Sequence, residues 1–112
     1  MADSFGLKIG IEGEKQFKQQ LAEINQTFKV LGSEMKLIES QFDKQDQSQE
    51  ALTARNEVLQ KSIEAQKEKI EALNAALKNA SSSFGDNDKR TKNWQLQLNN
   101  AQAELIKMVK EL

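Results

Sequence analysis

The sequence predicts an all-α fold of long, narrow helices packed as an elongated coiled coil, and three observations carry that expectation. Phe17, Leu21, Ile24, Phe28, Leu31, Met35, Ile38 and Phe42 follow one another in alternating steps of four and three residues. The mean step of about 3.5 lays a single apolar seam along a helix, and a seam of that kind needs another helix to cover it. Continued to residue 112, the same frame finds 22 of its 28 core positions apolar, where a chain that is 38% hydrophobic would place about 11 by chance. Finally, there is no proline, 29% of residues are charged and only 5% are aromatic, the composition of long helices rather than of a typical globular domain. A mean hydropathy of −0.70 leaves little apolar surface beyond the seam. Stability must then come from helices zipped side by side, in a bundle or through self-association.

The chain opens differently. In residues 1–13, Phe5, Leu7, Ile9 and Ile11 alternate with Gly6, Lys8, Gly10 and Glu12, the pattern of a short half-buried strand that needs a second strand from elsewhere. Gly13 ends this extended segment. Helix 1 is expected over 14–42, with Glu14 set against its N-terminal dipole and Gly32-Ser33 as a soft spot in a continuous helix. From Asp43 to Gln49 both core positions of the frame, 45 and 49, become glutamine, so the apolar reason for helices to stay together lapses and the chain is expected to bend. Asp46 or Ser48 can cap the helix that follows.

The second unit, 43–83, holds this polar bend and helix 2, whose core layers are Leu52, Leu59, Ile63, Ile70, Leu73 and Leu77. Asn56 and Gln66 interrupt them, and polar residues at core positions cost stability but fix register, so both are expected to specify how the helices pair. A second line, Val30, Leu37, Ala51, Val58, Ala65 and Ala72, lies at seven-residue multiples beside the seam and predicts contact with a further neighbour. The third unit, 84–112, opens with a turn at Gly85, Asp86 and Asp88, where glycine can end one helix and the acidic residues can cap the next. Helix 3 then carries Trp94, Leu98 and Leu105 on the seam. So short a turn favours an antiparallel helical hairpin or three-helix arrangement, while the frame's unbroken phase across the turn is also what a continuous rod would give. The last helix has no stop signal, so the chain is expected to be part of a longer protein.

A catalytic site is not expected. The chain has no histidine or cysteine to act as base, nucleophile or soft metal ligand, and its carboxylates are scattered along helix surfaces. Asp86, Asp88 and Arg90 begin like a calcium loop, but Thr91 stands where glycine is required and Gln97 where glutamate is required. No cofactor, metal or small-molecule substrate is therefore expected. A net charge of −1 supplies no field for nucleic acid, and Lys89, Arg90, Lys92 and Trp94 form the one basic-aromatic cluster; the expected reading there is a solvated first turn with Trp94 in the core. No apolar run approaches the roughly 20 residues of a membrane span.

The wording of several stretches resembles a known family. Gly6-Leu-Lys-Ile-Gly-Ile-Glu-Gly-Glu-Lys15, Phe28-Lys-Val-Leu-Gly-Ser-Glu-Met-Lys36 and Ala51-Leu-Thr-Ala-Arg-Asn56 are similar to the N-terminus of tape measure proteins from long-tailed phages and prophages of Gram-positive bacteria. Phe84-Gly-Asp-Asn-Asp88, Trp94-Gln-Leu-Gln-Leu98 and Ala101-Gln-Ala-Glu-Leu105 fit the same family, so the resemblance spans essentially the whole chain. It implies a structural, non-enzymatic role in setting tail length, with several copies lying in the lumen of the tail tube after assembly in the host cytoplasm. It further implies tail tube, tail-tip and tail assembly chaperone proteins as partners. The alternative is a cytoplasmic coiled-coil adaptor or assembly chaperone unrelated to phage.

Overall fold

The computed structural model describes the backbone of residues 2–43 and 45–111, and the side chains from residue 10 onward within them; the seam position at Leu112 and Lys44 in the polar bend lie outside the described residues. The fold is all-α, with three helices in chain order, α1 (Ala2–Gln41), α2 (Gln49–Phe84) and α3 (Lys89–Glu111). The molecule measures 63 × 21 × 16 Å. Its long dimension is that of α1, since 40 residues of helix extend about 60 Å.

The expected N-terminal strand is not present among the described residues; residues 2–13 form the opening turns of α1. The physical reason is legible at Gly10 and Gly13. A Cβ at Gly10 would come within 2.5 Å of Ser83 Cβ, and one at Gly13 within 2.9 Å of the Asn79 amide, so the two glycines let α1 lie directly against the last turns of α2. Asn79 Nδ2 secures the approach by donating to the Gly10 carbonyl at 3.0 Å. The alternation that suggested a strand also pairs Phe5 with Ile9 and Leu7 with Ile11 at the four-residue spacing of a helix, and packing against α2 selects the helix. Glu14 consequently stands in mid-helix instead of at a helix start. α1 then runs unbroken through Gly32, where the surroundings are open.

α2 packs against both α1 and α3. The contacts run in reverse order from one helix to the next: Gly10 meets Asn79 and Asn25 meets Lys69, while between α2 and α3 Leu77 shares a groove with Thr91, Gln66 bonds to Ala101, and Val58 shares a groove with Met108. Two clusters form the core. The larger draws on all three helices, with Leu21 and Ile24 from α1, Ala72, Leu73, Ala76 and Ala80 from α2, and Trp94, Leu98 and Ala101 from α3. The smaller holds only α1 and α2, with Leu31 against Val58 and Ala65, and Phe28, Met35 and Ile38 around them. The molecule is therefore three helices thick at one end and two at the other.

Local chemistry explains both turns. At the polar bend Ser48 caps α2, its hydroxyl accepting from Ala51 N at 3.2 Å, and Asp46 Oδ1 accepts from Ser48 N at 2.8 Å. Arg55, one turn into α2, reaches back to donate to the carbonyls of Asp46 at 2.7 Å and Asp43 at 2.6 Å, which ties the bend to the helix it precedes. At the second turn Gly85 has φ 90° and ψ 160°, a region open essentially to glycine alone, and its N–H donates to the Ser81 carbonyl.

Candidate functional site

The surface that does chemical work in this fold is the seam between helices. Of the residues expected on it, Leu21, Ile24, Leu73, Trp94 and Leu98 meet in the larger cluster, with Phe17, Phe28, Ile70 and Leu77 half-buried against them. Leu31 centres the smaller one, and Met35 and Ile38 pack on it. Ile63 is buried, while Leu59, Leu105 and Phe42 are half-buried. Leu52 departs from the expectation at 40% exposed, and Asn56 is exposed instead of forming a polar core layer. Both lie toward the two-helix end of α2. The last described turn of α3 shares a groove with Val58, Leu59 and Ser62, and Leu52 and Asn56 lie beyond that level.

The other expected polar layer has a definite partner. Gln66 is buried and its Nε2 donates to the Ala101 carbonyl at 2.8 Å, a contact from α2 to α3 that any sliding of one helix along the other would break. The line of small residues beside the seam behaves differently on the two helices. Ala51, Val58, Ala65 and Ala72 are buried on α2, Val58 and Ala65 against Leu31 of α1, whereas Val30 and Leu37 on α1 are exposed.

Sequence reasoning missed one polar contact and one apolar one. The Trp94 indole donates from Nε1 to Glu14 Oε1 at 2.7 Å, with both residues buried, and so joins α3 to α1 across the groove between them. Lys18, itself largely exposed, stands 3.8 Å from the other Glu14 oxygen. No spacing rule links residues so far apart in sequence. Ala76 is the apolar omission, and a signal for it exists, because Ala72, Ala76 and Ala80 follow one another at four-residue steps along one face of α2.

The turn residues are spent on structure. Asp88 caps α3 by accepting from Arg90 N at 2.8 Å, and the Arg90 side chain grips the same carboxylate at 2.9 Å. The Arg90 side-chain hydrogen bond, then the one from its backbone, lowers the Asp88 carboxyl from an ordinary 3.8 to about 2. Asp86 accepts from the Ser81 hydroxyl, and Thr91 Oγ1 donates to the Gly85 carbonyl at 2.7 Å. Of the basic-aromatic cluster, Arg90 also lies over the Phe84 ring, 3.4 Å from its centre, Trp94 is in the core, and Lys89 and Lys92 are exposed.

The surface grooves are shallow furrows between helices. One of about 540 Å³ runs between α1 and α3, with Asn25, Gln66, Gln97 and Asn100 presenting amides beside Phe28 and Met108. Among the described residues no three Asp or Glu converge as metal ligands, and no helix is long and apolar enough to cross a membrane. The chain matches no protein-family model, no curated protein and no solved structure.

Proposed function

We propose that this chain is a structural, non-enzymatic helical segment from the N-terminal part of a phage tail tape measure protein, acting through helix–helix contacts during tail assembly. The observation that carries the reading is that the buried large apolar side chains line the seam between helices, while the ionisable groups other than Glu14 lie on helix surfaces and turns. Catalysis needs titratable groups converging in a closed pocket, and the grooves here are open and lined by amides, alanine and separate carboxylates. The reversed order of contacts and the 3.5-residue seam support an antiparallel, coiled-coil-like packing of the three helices. The family wording of residues 6–15, 28–36 and 51–56 supports the phage assignment, with tail tube, tail-tip and assembly chaperone proteins as partners and the tube lumen as final location. A helix advances about 1.5 Å per residue, which is what lets a tape measure convert residue count into distance.

One observation favours the second reading, a coiled-coil adaptor or assembly chaperone. The chain folds back into 63 Å, whereas the same residues in one straight helix would span about 165 Å, and a folded-back unit suits a freestanding domain. Mass spectrometry of tailed particles purified from the organism that encodes the chain separates the two. Peptides from this chain in the particles support the tape measure reading. Their confinement to the particle-free lysate overturns it in favour of the adaptor.

A further inference from the structure

Two surfaces of this chain carry charge of opposite sign. On α2, Glu50, Glu57, Glu64 and Glu71 recur at seven-residue steps, all exposed, and form a line of glutamates about 31 Å long, flanked by Lys61 and Lys67. Beside it lies the groove between α1 and α2 that no residue of α3 lines, about 610 Å³ in volume. Its walls include Glu23, Glu68 and Glu71, its floor is Ile24, Ala72 and Ala75, and no lysine or arginine lines it. Seven and fourteen residues after Glu23, the α1 wall continues with Val30 and Leu37, which are 49% and 60% exposed.

The outward face of α3 is the complement. Lys89, Leu96, Ile106 and Lys110 run along it, again over about 31 Å, with Leu96 and Ile106 each 58% exposed. The acidic residues of α3, Glu104 and Glu111, stand on its other flank, in the grooves shared with Phe28 and Met35. Ion pairs among the described residues are confined to Glu14–Lys18 and Asp88–Arg90, so Glu23, Glu68 and Glu71 of the groove and the α3 lysines Lys89 and Lys110 make no close ion pair within the molecule.

We propose that the outward face of α3 in one copy seats in the α1/α2 groove of a second copy of this chain. Leu96 and Ile106 lie over the small floor residues and the Val30–Leu37 wall, and the flanking lysines meet the glutamates. Because a face meets a groove of a different kind, each pairing leaves one face and one groove open, and assembly continues beyond the dimer unless the rotation closes a ring. This inference rests on the charge and apolar pattern alone and holds whichever cellular role the chain has.

Sedimentation of the full chain tests it. The wild type should associate at low salt to masses above twice its 12.7 kDa, and the association should weaken as sodium chloride rises, because the contacts are ionic and exposed at the rim. Glu50→Lys with Glu71→Lys, 21 residues apart like the two lysines, makes the acidic line basic at both ends, and Lys89→Glu with Lys110→Glu makes the face acidic. Each double variant alone should associate about tenfold more weakly or worse, and an equimolar mixture should regain association because the reversed line accepts the reversed face. All four positions are exposed, and circular dichroism establishes that the variants keep their helices. Should one fail to fold, the salt dependence of the wild type decides by itself. A wild type that stays monomeric up to about 1 mM overturns the proposal, leaving these surfaces to a different partner. So does association indifferent to salt, or a mixture of folded variants that remains apart.

Discussion

The indole N–H of Trp94 has a single acceptor, Glu14 Oε1, and both residues are shut away from water. Leaving a buried donor unpaired costs about 1–3 kcal/mol, so Glu14→Ala should lower unfolding stability by about that amount. Glu14→Gln keeps an oxygen at the same distance and should recover most of the loss. Denaturant midpoints of the two variants check this, and equal losses would show that the hydrogen bond contributes nothing. Asp88 makes a prediction of a different kind. Its carboxyl is held below the ordinary 3.8, at about 2, so ionisation favours the folded chain above pH 4 or so, and that contribution disappears as the pH falls through the folded value. Asp88→Asn should therefore differ in stability from the wild type at neutral pH and converge with it towards pH 2. Thermal melts across that range would refute the assignment if the gap stayed constant.

At the level of the element, Leu73 is the largest fully buried side chain among the described residues, in the cluster that draws on all three helices. Leu73→Ala should cost about 2–5 kcal/mol by opening a cavity there. Glu57→Ala, on the exposed acidic line, should stay within about 0.5 kcal/mol in a dilute, monomeric sample. Comparable melting temperatures for the two would contradict the seam. The helix that declared itself best in the sequence was α1 from Phe17 onward, because one neighbouring layer selects one stripe and the 3.5-residue period survives. On α2 the buried arc is wider, and of it the line Ala51, Val58, Ala65 and Ala72 was legible in the sequence while Ala76 was not. Local patterning failed at residues 2–13, where the apolar spacing satisfied both strand and helix and the decision fell to a close approach between Gly10 and Ser83. It failed again at Leu52 and Asn56, whose phase is that of a core layer but which lie past the level where α3 covers α2.

Taken whole, the molecule is a tapered bundle whose width is set by which helices are present at each level. Scattering from a dilute sample at high salt should return a radius of gyration of about 19 Å, near the 18.1 Å of its Cα atoms. A single straight helix of this length would give about 48 Å. Two short polar turns thus decide the shape, and neither contributes to the core they bring together. The Glu14–Trp94 bridge joins positions 80 residues apart, so it can close only after both turns have formed. The chain has one tryptophan, and its emission is therefore a clock for the last act of folding. Helical ellipticity can rise while the indole is still wet, and the interval between the two signals measures how long the first helix waits to dock.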